Sequence, residues 1–172
     1  MTIQRLRVPI GFAAALTALV LATPSGLFIL AGLPVALAGL AFRLLAAGTI
    51  RKNAELATGG IYAWTRNPLY FGSALLAAGF AIMSGSLWVA LLLAVPFLVV
   101  YPKVIVREEA ALAKLFPEAF PVFRASTPAF FPRFRPTPLG FSFTQYRANR
   151  EYNAVFGFLA ALAILIVKCF WR

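Results

Sequence analysis

The chain has 172 residues, of which 62% are hydrophobic and 12% are charged, and its formal net charge is +11. This composition lies outside the range of soluble globular domains and indicates a protein of the lipid bilayer. The basic residues stand at the ends of apolar runs and not on one face of a soluble fold, so no nucleic-acid partner is expected. With one cysteine, Cys169, and no histidine, Cys/His zinc sites and histidine catalysis are excluded and no metal is expected.

Five apolar runs predict an all-α integral membrane helical bundle of about five transmembrane helices. A bilayer core about 30 Å thick needs about 20 apolar residues in a helix, and tilt or snorkelling allows fewer. The runs are Val8 to Ala22, Leu27 to Gly48, Pro68 to Met83, Leu87 to Tyr101 and Val155 to Trp171.

Two short uncharged turns are predicted to join the first four runs into two helical hairpins. Thr23-Pro-Ser-Gly26 and Ser84-Gly-Ser86 have the composition of tight turns. The first run follows two arginines, as in a secretory signal, but it leads directly into a second apolar run, which favours a hairpin.

The distribution of Lys and Arg predicts the orientation, because cytoplasmic loops retain basic residues during insertion. Basic residues cluster before the first run, around Arg51 and Arg66, and from Lys103 to Arg150, so the N terminus and any chemistry are expected to be cytoplasmic. Lys168, near the far end of the last run, departs from this pattern. All five carboxylates fall on the basic side: Glu55, Glu108, Glu109, Glu118 and Glu151.

Asn67-Pro68 has the pattern of a helix start. Asparagine accepts a backbone N–H as N-cap, and proline fits the first helical turn. The helix N-terminus, with Arg66 beside it, would form an anion site at the membrane boundary. The alternative is an ordinary capped helix with Arg66 on a lipid phosphate.

Glu108 and Glu109 lie on a predicted helix from Pro102 to Phe116 and are expected to project into its apolar face. Neither has a Lys or Arg three or four positions away. Because a buried carboxylate without a partner is costly, each should meet either a cationic ligand or a remote arginine, Arg66 or Arg51. The two alternatives stay open. Helix contacts are expected at small residues: Ser73, Ala77 and Ala81, and the pair Gly157 and Ala161.

The segment from Phe116 to Phe143 is rich in proline and aromatic residues, too irregular for one long helix. It is predicted to form a cytoplasmic cap between the fourth and fifth spans, with aromatic side chains at the membrane interface. The whole chain is expected to be one domain, comprising a first hairpin (8–48), a core (57–132), and a connector with the last helix (133–172).

Three sequence blocks follow one another along the chain: Thr58-Gly-Gly-Ile-Tyr62, Arg66-Asn-Pro-Leu-Tyr70 with Gly72, and Glu108-Glu-Ala-Ala-Leu112 with Phe116. Together they resemble the isoprenylcysteine carboxyl methyltransferase and phospholipid methyltransferase family. The resemblance runs from about Ala57 to Pro132, and Asn149-Arg-Glu-Tyr152 is similar to the ending of bacterial members. It implies an integral membrane enzyme, here of a bacterial inner membrane, that uses S-adenosylmethionine.

The resemblance also implies which residues hold this cofactor. Glu108 and Glu109 would take its ammonium and ribose hydroxyls, and Arg66 with the helix start would take its carboxylate. Tyrosines would pack on adenine or face the sulfonium, and Glu109 and Arg66 are the predicted catalytic pair. The implied cofactor-binding set is Tyr62, Arg66, Asn67, Pro68, Tyr70, Gly72, Glu108 and Glu109.

The chain departs from the family pattern at several positions that bear on the methyl acceptor. Pro117 replaces a usual Gly, Phe120 and Phe123 stand where Tyr is usual, and Ala129 replaces a usual Arg. The expected acceptor is lipophilic and membrane-borne, either an isoprenylcysteine-like carboxylate or thiol or a phospholipid amine. The alternatives are a non-catalytic lipid-binding protein of the same fold and a nicotinamide-dependent membrane reductase. The oligomeric state is left open.

Overall fold

A computed structural model describes residues 14–51 and 55–171. Within those ranges the chain is helical, without strands, and α1 comprises residues 14–21. A short 3₁₀ turn spans Gly60–Ala63. The other helices are α2 (Gly26–Thr49), α3 (Pro68–Ser84), α4 (Leu87–Val95), α5 (Tyr101–Leu115), α6 (Ala119–Ser126), α7 (Phe143–Ala148) and α8 (Tyr152–Phe170).

In the part of the chain that the structure describes, three helical stretches are long and apolar enough to cross a membrane: Gly26–Thr49, Leu87–Leu115 and Tyr152–Phe170. The apolar helix Pro68–Ser84 is shorter, with 17 residues. The predicted membrane helical bundle is therefore confirmed. Residues 8–13 of the first predicted span lie outside the described ranges.

The fourth predicted span and the following helix are one continuous helix, Leu87–Leu115. A π turn at Pro96–Val100 joins α4 to α5, and the N–H of Tyr101 donates to the carbonyl of Pro96, five residues back. Prolines at 96 and 102 lack the N–H that a regular ladder uses, so a locally wider turn keeps the helix unbroken. Glu108 and Glu109 thus stand on the extension of a membrane span.

The helices alternate in direction, and this separates two ends of the bundle. At the turn end, the two predicted turns are hydrogen-bonded to each other: the N–H of Thr23 donates to the carbonyl of Ser84 over 2.6 Å, and its hydroxyl donates to the carbonyl of Gly85 over 3.0 Å. At the other end, called here the polar end, α2 and α5 finish and α3 and α8 begin.

The closest helix pair is α2 against α3. A Cβ placed on Gly39 would meet the backbone of Leu76 at 2.5 Å, and one on Gly79 would meet the backbone of Ala36 at 2.5 Å. The tightest approach therefore uses glycines. Of the expected small residues Ser73, Ala77 and Ala81, Ser73 contacts α2, because its hydroxyl accepts a hydrogen bond from Nη1 of Arg43. The expected contact at Gly157 is wrong, because no atom of the described residues lies within 4 Å of a Cβ placed there.

Lys168, the basic residue that departs from the charge pattern, ties α8 to α1 at the turn end. Its ammonium donates to the carbonyls of Leu19 (2.8 Å) and Val20 (2.7 Å) in the last turn of α1. A cation at the C-terminal end of a helix satisfies carbonyls that lack helical partners. This lysine therefore has a structural reason to lie on the side that is poor in charge.

The connector between α6 and α7 is held against the polar end by backbone hydrogen bonds. The N–H groups of Arg66, Arg133 and Ser142 donate to the carbonyls of Pro128, Trp64 and Gly48, each over 2.9 Å. The predicted cap over the polar end is therefore present. Beneath it lies a second core cluster, separate from the one in the middle of the bundle, consisting of Ala46, Ile61, Tyr62, Phe120 and Phe123.

Candidate functional site

A cavity of about 560 Å³ opens at the polar end. This volume lies in the range of small-molecule sites. The ends of α2 and α5, the start of α3 and the residue before α8 form its walls. Its charged and tyrosine lining residues are Arg43, Arg51, Glu55, Tyr62, Arg66, Tyr70, Tyr101, Glu108 and Glu151.

The predicted carboxylate pair is divided between two environments. Glu109 accepts a hydrogen bond from Nε of Arg66 over 2.8 Å, with side-chain exposures of 14% and 10%. Glu108 lines the cavity and accepts from the hydroxyl of Tyr70 over 2.7 Å. The expectation that both project into a buried apolar face is wrong for Glu108, which is exposed. Successive helical residues point about 100° apart, so they face different partners.

The side chain of Arg66, which lies just before α3, forms hydrogen bonds with α5 and with the end of α6. Besides Glu109 on α5, its Nη1 donates to the carbonyls of Arg124 (2.8 Å) and Thr127, at the end of α6. A guanidinium suits this place because its donors are fixed in one plane. The structural ion pair, left open by the sequence, is therefore what the structure shows for Glu109, although Arg66 also borders the cavity.

Asn67, Pro68 and Gly72, predicted to touch the cofactor, do not line the cavity. The predicted N-cap role of Asn67 is wrong: its side chain makes no cap hydrogen bond, and its amide donates to the carbonyl of Ala129 over 2.9 Å. Gly72 faces α2, where a Cβ would meet Arg43 Cγ at 2.8 Å. Because the Asn67 side chain bonds to the connector and not to the start of α3, these three residues support the cavity without lining it.

Tyr62 is 6% exposed, yet it lines the cavity. No group in the described parts of the chain forms a hydrogen bond with its hydroxyl. Burial, with the nearby negative charges of Glu108 and Glu151, raises the pKa of this phenol well above its ordinary value. Tyr62 is therefore a protonated donor at neutral pH, and its hydroxyl is available to a ligand.

Sequence reasoning missed an ion pair that lines the cavity, between Arg43 and Glu151. Nε of Arg43, on α2, donates to Glu151 over 2.6 Å, and its Nη1 donates to the hydroxyl of Ser73 on α3. Side-chain exposure is 24% for Arg43 and 11% for Glu151. An arginine inside an apolar run was the available signal, because such residues usually have a partner. The partner lies 108 positions away and could not be assigned from spacing.

The remaining charges of the cavity are at its rim. Arg51 and Glu55 approach to 3.6 Å, with side-chain exposures of 64% and 57%. Within residues 14–51 and 55–171, no cluster of three or more Cys, Asp or Glu is arranged to hold a metal ion.

Comparison with known proteins agrees with this architecture. Residues 39–119 match the family model described as phospholipid methyltransferase. This stretch runs from α2 to the start of α6 and contains all three blocks that carry the resemblance. The match over residues 39–119 of this helical membrane bundle agrees with the family resemblance that the sequence blocks implied.

Two curated bacterial relatives share part of the chain. The cobalt-zinc-cadmium resistance protein CzcN of Cupriavidus metallidurans is 46% identical over 83 residues. The nickel-cobalt-cadmium resistance protein NccN of Alcaligenes xylosoxydans xylosoxydans is 42% identical over 83 residues. Each match covers 48% of this chain and 38% of the relative, so the shared region is nearly half of this chain but well under half of each relative. No solved structure matches the chain.

Proposed function

We propose that the protein is an S-adenosylmethionine-dependent methyltransferase that acts on a lipophilic, membrane-borne acceptor. The observation that carries this proposal is the charge balance of the cavity. Among the residues that the structure describes, its lining contains three arginines and three glutamates. Among the described residues, Arg43 and Arg51 pair with Glu151 and Glu55, and Arg66 pairs with Glu109 outside the lining. Within residues 14–51 and 55–171, Glu108 forms no ion pair with a basic residue, which favours a cationic ligand.

The residues of the cavity fit this cofactor. Its sulfonium and ammonium are cations, which Glu108 and the faces of Tyr62, Tyr70 and Tyr101 can stabilise. The Tyr62 hydroxyl supplies a donor to a polar atom of the ligand. Arginines at the rim and floor supply partners for the carboxylate. We therefore assign Glu108 as the principal cofactor contact and Glu109, with Arg66, as its support.

When bound, the cofactor would supply an electrophilic methyl group, and the chain's own task would be alignment. Tyr62 and Glu108 orient the donor, and the apolar wall of Leu69, Leu112 and Phe123 limits water near the reacting atoms. A carboxylate or thiolate acceptor needs no base. For an amine acceptor, Glu108 is the carboxylate placed to take the proton, since Glu109 is engaged by Arg66.

We further propose that the polar end faces the cytoplasm of a bacterial inner membrane. The basic residues of the loops gather there, and the turn end carries few charges. The relatives are named for metal resistance, and this chain has no histidine and one cysteine. We propose that any part it plays in metal resistance follows from modifying a membrane component.

Titration of the detergent-solubilised protein with S-adenosylhomocysteine tests the cofactor assignment. Binding by the wild type is expected, and Glu108→Gln should weaken it tenfold or more, since a hydrogen bond to a charged group contributes about 1.5–3 kcal/mol. Glu118→Gln, an exposed carboxylate on the link to α6, is the matched control. Absence of binding at millimolar cofactor would refute the proposal, and displacement by NADPH would favour the reductase alternative.

The acceptor is tested with methyl-labelled cofactor and membrane extracts. A labelled lipid made by the wild type and lost in Glu108→Gln supports the enzyme. Intact cofactor binding with no labelled product in any extract would instead favour the non-catalytic, lipid-binding alternative.

A further inference from the structure

The connector exposes a set of large aromatic side chains outside the spans. Phe131, Phe134 and Phe143 have relative exposures of 77%, 69% and 62%. Exposed apolar residues on membrane helices face lipid, but these three precede or begin α7 and lie on no predicted span. Phe131, Arg133, Phe134, Arg135, Phe141 and Phe143 are called here the connector surface.

The backbone of this surface is held at the level where the spans end. Arg133 N–H donates to the carbonyl of Trp64 over 2.9 Å, and the indole N–H of Trp64 donates to the carbonyl of Arg135 over 2.7 Å. The Phe134 ring packs on that indole with centroids 5.0 Å apart. Trp64 lies directly between the end of α2 and the start of α3, so the connector surface stands at the membrane boundary.

The charged residues along the connector sequence and its flanking helices α6 and α7 have one sign. Residues 119–150 contain five arginines and no Asp, Glu or Lys. The flanking Glu151 is neutralised by Arg43. The side chains of Arg133 and Arg135 are exposed. Nη2 of Arg135 donates a hydrogen bond to the carbonyl of Ser126.

We infer that the connector surface is a docking site for anionic phospholipid headgroups of the adjoining leaflet. Aromatic rings enter the interfacial layer and arginine forks bind phosphate. An acid-free, arginine-bearing segment selects anionic over zwitterionic lipids, by about fivefold per arginine near the surface. This inference does not depend on the proposed methyl transfer.

Tryptophan fluorescence offers a direct test, because Trp64 lies beneath the surface. The other two tryptophans, Trp88 and Trp171, are 70% and 86% exposed and are replaced by phenylalanine. The single-tryptophan protein is placed in nanodiscs made of phosphatidylglycerol and phosphatidylcholine at one fixed molar ratio. In one sample only the phosphatidylglycerol is brominated, and in the other only the phosphatidylcholine is brominated. The expected result is stronger quenching by the brominated anionic lipid.

Paired variants make the result specific. Arg133→Gln with Arg135→Gln should lower the preference for the anionic lipid by about twenty-fivefold, and Arg133→Gln alone by about fivefold. The matched control removes two exposed charges from α5, Lys103→Gln with Lys114→Gln, and should leave the preference unchanged. Equal quenching by both lipids in the wild type, or an equal loss in the control, would overturn the inference. Relief of quenching by added inorganic phosphate would show a free-anion site and would also overturn it.

Discussion

Two neighbouring glutamates show how local geometry assigns different roles to identical side chains. Glu109 closes a mostly buried ion pair with Arg66, whereas Glu108 stays at the cavity with a tyrosine hydroxyl as its neighbour. The sequence indicated that both carboxylates were costly without a partner. It could not indicate which of them would receive the arginine, because that depends on the rotation of α5 about its axis.

Tyr62→Phe should separate ligand binding from stability. Its hydroxyl has no hydrogen-bond partner among the described residues, so removing it should change the free energy of unfolding by no more than about 0.5 kcal/mol. If the hydroxyl donates to the bound cofactor, affinity should fall about fivefold, the equivalent of one hydrogen bond of about 1 kcal/mol. Thermal unfolding and S-adenosylhomocysteine titration of the same preparation check both values. A large loss of stability with unchanged affinity would contradict this role.

The same residue predicts a pH effect. Because its pKa is raised in the folded state, the folded protein holds the phenol proton more tightly than the unfolded chain. This contribution is present at neutral pH and is lost as the pH rises above the ordinary tyrosine pKa of about 10. The unfolding temperature of the wild type should therefore fall more steeply between pH 9 and 11 than that of Tyr62→Phe, with Tyr152→Phe as the control. Parallel curves would refute it.

At the scale of elements, α2 and α3 pack closely against each other, and this contact positions residues of the site. Arg43 on α2 and Ser73 on α3 meet across this pair, so the depth of the cavity depends on how closely the two helices approach. Small residues permit such approach in lipid, where packing and not the hydrophobic effect holds helices together. Glycines at the crossing thus contribute to the site without touching a ligand.

Gly79→Ala should destabilise the protein by about 1–3 kcal/mol, because the new methyl would lie 2.5–2.7 Å from the backbone and Cβ of Ala36. Gly157→Ala is the matched control: it faces open space on α8 and should leave stability unchanged or raise it slightly. Unfolding temperatures in detergent check the pair. Similar values for both variants would show that the crossing has room to relax.

For the whole molecule, the site extends beyond the segment that matches the methyltransferase family. The match ends at residue 119, whereas Glu151 comes from the residue before α8 and forms part of the cavity wall. Its ion pair with Arg43 joins the start of α8 to α2. The predicted division into a hairpin, a core and a connector stays a prediction, but the cavity draws residues from each of those three parts.

Glu151→Gln should cost about 3 kcal/mol of stability, because it leaves a partly buried arginine without its counter-charge. The double variant with Arg43→Gln should recover part of that loss. Glu55→Gln breaks an exposed pair and should cost less than about 1 kcal/mol. Denaturant or thermal unfolding of the four proteins checks the order, and equal losses in Glu151→Gln and Glu55→Gln would contradict it.

The sequence by itself determined the helical membrane class, the two hairpin turns and the capping connector. It also determined that Tyr62, Arg66, Tyr70 and Glu108 lie at the same end of the bundle. Hydropathy, turn composition and charge placement are local signals, and the bilayer turns them directly into spans and ends. Only the tertiary structure decided which carboxylate meets Arg66, that Asn67 serves the connector, and that Arg43 pairs with Glu151. Those outcomes depend on helix rotation and on contacts between residues up to 108 positions apart, where short-range patterns carry no information.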